Sequence, residues 1–149
     1  MGSTLRMRRV LLVEPNRACR ERYRQELRRA GYAVAATGSS RSALRRLARG
    51  ERPDALVLDA GADRAGRHRV LESALRADPS MTVLLSTSEG GLWRDFTSWA
   101  ADGVVHKAQP AAELTRALAG TLGGRQAGGS LPTGQGVGKN RLTVRHAPE

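Results

Sequence analysis

Four polar residues stand at or directly behind short apolar runs, and together they could handle a phosphoryl group. Glu14 follows Arg9–Val13, Asp59 closes the run from Ala55, Ser86 closes the run from Thr82, and Lys107 follows Gly103–His106. If these runs are strands of a parallel sheet, their carboxyl ends share one edge, which is where open α/β sheets bind ligands. A carboxylate there can attack phosphorus. A carboxylate pair can hold Mg²⁺, which needs only one or two carboxylates besides water. A hydroxyl and an ammonium can bond phosphoryl oxygens. The expected roles are Asp59 as phosphoacceptor, Ser86 and Lys107 as phosphoryl contacts, and Glu14 with Asp59 as metal ligands. The competing reading is four ordinary polar strand ends; four such residues at four matching ends weigh against it.

The elements that must position these residues alternate along the chain. Arg9–Val13, Tyr32–Thr37, Ala55–Leu58, Thr82–Leu85 and Gly103–His106 read as strands, bounded by Pro, Gly and Asp. Between them lie helix-like segments. Cys19, Tyr23, Leu27 and Ala30 recur on one helical face, with Asn16 before the segment and Gly31 after it. Ser39 or Ser40 caps a second stripe of Ala43, Leu44, Leu47 and Ala48, which Gly50 ends. Val70, Leu71, Ala74 and Leu75 mark a third helix, and Ala60 to Arg67 before it reads as a loop. Leu92, Trp93, Phe96, Trp99 and Ala100 mark a fourth, and Leu114, Ala117, Leu118 and Leu122 a last one. Five alternations of strand and helix predict a doubly wound α/β domain with a five-stranded parallel sheet. Residues 1–7 read as a flexible N-terminus, 8–122 as the domain, and 123–149 as a Gly-rich, basic, disordered tail.

The 149 residues suffice for one core, and no apolar run approaches the ~20 residues of a membrane span. A cytoplasmic protein is expected. A single cysteine, Cys19, excludes a disulfide framework and a Cys-rich zinc site, and three scattered histidines give no metal cage. The net charge of +11 is uneven: residues 1–52 hold 14 Lys and Arg against 4 Asp and Glu, whereas residues 53–122 hold 7 against 9. No Gly-rich loop follows the first strand, which speaks against a nucleotide-binding enzyme. Gly134–Lys139 lacks the first Gly and the final Ser or Thr of a phosphate loop. The chain is not expected to be an enzyme.

The runs Arg9–Glu14, Arg28–Tyr32, Arg52–Asp59, Thr82–Ser86 and Asp102–Lys107, in that order and spacing, resemble the receiver domain of bacterial two-component response regulators over about residues 8–122. The resemblance implies a flavodoxin-like receiver fold, phosphate accepted at Asp59, phosphoryl contacts from Ser86 and Lys107, and Mg²⁺ bound partly through Glu14. It implies a histidine kinase or phosphotransfer protein upstream and a downstream protein partner, reached when the fourth helix and fifth strand shift. There are departures. The second acid after the first strand is Pro15, so Mg²⁺ is expected to be held weakly. Asp63 stands where the family has proline, Ala108 follows the lysine in place of proline, and Val104 replaces the aromatic switch residue. Losing one of three acids relieves repulsion on Asp59 but loosens the metal that neutralises an incoming phosphoryl group. Slow, weakly Mg²⁺-dependent phosphorylation, or none, is expected.

Arg17, Arg20, Arg24 and Arg28 fill the polar side of the first helix, and Arg41, Arg45, Arg46 and Arg49 the second. In this fold the first and last helices cover one sheet face and the others the opposite face, so the two sets need not make one patch. A solvated basic face is the bland reading. A docking surface of Arg17, Arg20, Arg24 and Arg28 for an acidic partner, with Trp99 at the edge of its own helical stripe, is the sharper one. No helix-turn-helix, zinc finger or aromatic platform accompanies the arginines, so any nucleic-acid contact would be non-specific. The favoured function is a stand-alone phosphoacceptor signalling module. The alternatives are a phosphorylation-independent pseudo-receiver and a basic nucleic-acid or anion-binding module.

Overall fold

The computed structural model describes residues 6–61, 63–88 and 101–126. The elements are β1 (Arg9–Val13), α1 (Arg17–Arg29), β2 (Ala33–Thr37), α2 (Ser40–Ala48), β3 (Ala55–Asp59), α3 (Arg64–Ala77), β4 (Thr82–Thr87), β5 (Gly103–His106) and α4 (Ala112–Gln126). The predicted fourth helix with Trp93, Phe96 and Trp99 lies outside the described residues. Of the tail expected over 123–149, residues 123–126 instead continue the last helix to Gln126, and the rest lies outside the described residues. All strand pairs are parallel, in the order β2-β1-β3-β4-β5. The chain reverses direction across the sheet between β1 and β3, the place where such sheets open a crevice at their carboxyl ends.

Side chains alternate across the sheet. Leu11, Val13, Leu56, Leu58, Val83 and Leu85 pack with Ala43 and Leu47 of α2 and Val70, Leu71, Ala74 and Leu75 of α3. Val10, Leu12, Val57, Leu84 and Val105 pack with Tyr23 and Leu27 of α1 and Leu114, Leu118 and Leu122 of α4. The strands are apolar on both faces because helices cover both. Each fully buried Leu contributes about 1.5–3 kcal/mol. α1 and α2 therefore sit on opposite faces, so their arginines flank the edge strand β2 from two sides.

Helix starts follow their caps. Asn16 Oδ1 accepts from Cys19 N at 2.8 Å, and Ser39 Oγ from Ser42 N at 3.1 Å. Gly31 and Gly50 take φ of 101° and 95° just past α1 and α2, a backbone shape that favours glycine. The predicted loop from Ala60 to Arg67 is shorter than expected. Asp63 Oδ1 accepts from Gly66 N at 3.0 Å, which starts α3 at Arg64 and makes Arg67 a buried helical residue.

Candidate functional site

Sheet register delivers the four candidate residues to one edge. Glu14 leaves β1 fully buried, and its N–H donates to the Thr37 carbonyl of β2 at 3.0 Å. Asp59 ends β3 opposite Ser86 of β4, whose carbonyl accepts from Ala60 N at 2.8 Å. Lys107 follows β5, tied through its N–H to the Thr87 carbonyl at 2.8 Å. From α1, Arg22 Nη2 donates to the Lys107 carbonyl at 3.2 Å.

Lys107 is the centre of the site. Its ammonium contacts Asp59 Oδ1 and lies 2.8 Å from Glu14 Oε1. The Glu14 contact is an ion contact without hydrogen-bond alignment. The other two carboxylate oxygens are held by backbone: Glu14 Oε2 accepts from Asn16 N at 2.9 Å, and Asp59 Oδ2 from Gly61 N at 3.0 Å. Gly61 approaches closely, since an added Cβ would lie 2.7 Å from that Asp59 oxygen. Burial works against the Lys107 charge, but its bonds to Asp59 and Glu14 outweigh that and raise its pKa. Cys19 lies behind Glu14 on α1, and burial together with the nearby carboxylate pushes its thiol up.

The Ser86 hydroxyl differs from its neighbours. It is buried at 1% exposure and has no hydrogen-bond partner among the described residues. A buried polar group left unpaired costs about 1–3 kcal/mol. It stands on β4 at the position paired with Asp59 of β3.

The structure places the expected docking residues unequally. Arg17 and Arg28 are exposed and have no carboxylate partner among the described residues. Arg24 pairs with Glu21, its Nε 3.2 Å from Oε1. Arg20 turns inward: its Nη1 donates to the Glu14 carbonyl at 2.9 Å and the Pro15 carbonyl at 3.3 Å, over Gly38. Trp99 lies outside the described residues.

Sequence reasoning missed Arg67, which is 4% exposed and donates Nη1 to the Gly61 carbonyl at 2.8 Å. Its position gave a signal. Three residues before Val70 and four before Leu71, it shares their buried helical face.

No family model matches the sequence, and no curated protein is significantly similar to it. Solved structures are. A CheY-like response regulator receiver domain protein from Methanospirillum hungatei is 22% identical, with 83% of this chain and 100% of that one covered, at a TM-score of 0.72. A receiver protein from Sinorhizobium medicae is 23% identical over 82% and 99%, also at 0.72. A response regulator from Thermotoga maritima, solved in complex with Mg(2+)-BeF, is 26% identical over 77% and 99%, at 0.67. The chain has the fold of response regulator receiver domains.

Glu14 and Asp59 are the residues that would hold a divalent ion, with water completing its shell. They share the Lys107 ammonium, each has its second oxygen on a backbone N–H, and Pro15 brings no oxygen on its side chain. Among the described residues no three His, Cys, Asp or Glu side chains converge.

Proposed function

We propose that this receiver-fold chain is a signalling module that accepts a phosphoryl group on Asp59 from a histidine kinase or phosphotransfer protein and reports its state to a downstream protein partner. The Ser86 hydroxyl carries the reading: it is buried and unpartnered, and it sits beside a carboxylate that already holds a lysine. In the transfer, an Asp59 oxygen attacks phosphorus, the bond from phosphorus to the donor imidazole nitrogen breaks, and its electron pair leaves with the imidazole. The new acyl phosphate carries about one more negative charge than the carboxylate. Lys107 meets that charge, and the Ser86 hydroxyl donates to a phosphoryl oxygen. Exposed Arg17 and Arg28 on α1 suit an acidic docking partner.

A second reading, a pseudo-receiver that docks partners without phosphorylation, is favoured by the Lys107 clamp, which neutralises Asp59 before any donor arrives. Intact mass after incubation with acetyl phosphate separates the two. A gain of one phosphate, absent in Asp59→Asn, is expected. A folded protein that gains none refutes the phosphoacceptor and leaves the pseudo-receiver. The arginines of α1 and α2 also admit non-specific nucleic-acid contact, for which affinity would fall steeply with salt. Among the described residues no helix is long and apolar enough to cross a membrane.

A further inference from the structure

β2 closes one side of the sheet, and among the described residues no strand pairs with its outer side. Ala33 N donates to the Arg8 carbonyl at 2.9 Å, and the Thr37 carbonyl accepts from Glu14 N at 3.0 Å. The backbone groups of Ala33, Ala35 and Thr37 therefore face β1, and those of the alternate residues Val34 and Ala36 face outward. Proteins commonly blunt such an edge with a lysine, a proline or a charge on the strand itself. β2 reads Ala-Val-Ala-Ala-Thr and carries none of these, and residues 33–36 are only half-buried.

A cavity of about 230 Å³ opens beside the amino-terminal half of this edge, between Ala33 and Ala35 and the segment after α2 that carries Glu51, Arg52 and Pro53, with Leu11 in its wall. Glu51 is already paired with Arg46 at 3.1 Å. An apolar cavity of about 150 Å³ is known to hold benzene, so one aliphatic side chain has room here.

Charge selects the occupant. α1 holds 6 arginines against 2 glutamates, and residues 40–52 hold 5 against 1. Arg20 reaches Gly38 just past β2, and Arg24 and Arg28 follow at four-residue steps, so the row runs about 12 Å along the strand. Arg41, Arg45 and Arg49 of α2, over the opposite sheet face, are exposed. A second copy would bring the same arginines to the edge, and residues 123–149 of this chain hold 4 Lys and Arg against 1 Glu. Neither complements the edge, and an acidic segment does.

We propose that the outer edge of β2 is a docking site for an extended acidic segment of a partner protein. The segment adds to the sheet as a further strand on the Val34 and Ala36 backbone, sets one aliphatic side chain in the cavity and meets the arginines with its carboxylates. This docking does not rest on phosphate acceptance at Asp59.

A fluorescent peptide of alternating Glu and Val, followed by anisotropy with the full chain, tests it beside a Lys and Val peptide of equal length and a single-stranded oligonucleotide. The acidic peptide is expected to bind and the basic one not. At saturating acidic peptide, hydrogen exchange of the Val34 and Ala36 amides is expected to slow by about tenfold or more. Ala36→Pro removes an outward N–H and leaves the ladder to β1 intact, so it is expected to weaken the peptide by about tenfold. Arg28→Glu is expected to weaken it by about threefold or more. Failure of the acidic peptide to bind overturns the proposal. So does binding that leaves both amides exchanging at their free rates, and that arm stands even if Ala36→Pro does not fold. Oligonucleotide binding as tight as the peptide's, with both indifferent to Ala36→Pro, makes the arginines a general anion surface and overturns the added strand. A dimer of the free protein that Ala36→Pro dissolves gives the edge to a second copy and overturns the acidic partner. Phosphate acceptance enters none of these readouts, so its failure and the failure of docking are told apart.

Discussion

Lys107→Met keeps most of the aliphatic stem and removes the one ammonium between two carboxylates. Glu14 is then left fully buried and Asp59 nearly so, its side chain 11% exposed, each with a single backbone N–H to answer its charge. Breaking a buried ion pair by deleting one partner costs about 3–5 kcal/mol. The lysine side chain is itself 18% exposed, so solvent screens part of the loss and the lower end, about 3 kcal/mol, is expected. For a chain of this size that corresponds to a fall of about 6–12 °C in melting temperature. Urea unfolding at neutral pH reads the loss. The raised pKa of Lys107 keeps its contribution fully present below the ordinary lysine value of 10.5, and lost only as pH climbs through the folded value. The deficit is therefore expected to persist through neutral pH and to shrink as the wild-type lysine loses its proton. Asp59→Asn in the same background recovers part of the loss, which a double-mutant cycle reads as coupling. A deficit under about 1 kcal/mol at neutral pH refutes the clamp.

Two further outcomes follow from buried hydroxyls. Ser86→Ala removes a hydroxyl that has no partner among the described residues, so stability is expected to hold or rise slightly while acceptance of phosphate at Asp59 falls; unfolding curves beside intact mass check both. Burial pushes the Tyr23 phenol up to about 12, and nearby Cys19 adds to the shift. The folded state resists its ionisation and the unfolded state does not, so the stability it contributes is whole below pH 10 and is lost as pH rises from 10 to about 12. Ultraviolet titration of tyrosinate against an unfolding series reads this, and a Tyr23 that ionises near 10 refutes it.

The sheet was legible because its strands are short runs of Val, Leu and Ala closed by proline, glycine or a charged residue. A buried parallel strand needs that composition and a helix of such length does not. The four candidate residues were legible for a related reason: Glu14, Asp59 and Ser86 are each the first polar side chain after an apolar run, and Lys107 directly follows the run that ends at His106. The start of α3 was not legible. Ala60–Arg67 has no apolar period, and only the Asp63 side chain, through Gly66 N, says where the helix begins. Arg67 was hidden by its own chemistry, since an arginine is read as surface even where its spacing to Val70 and Leu71 puts it on the buried stripe. Arg20 misled in the opposite direction: helical spacing put it with the exposed arginines, but two carbonyls at the sheet edge draw it inward. Nor could local pattern join Lys107 to Asp59, because 48 residues separate them and only the register of β3, β4 and β5 closes the gap.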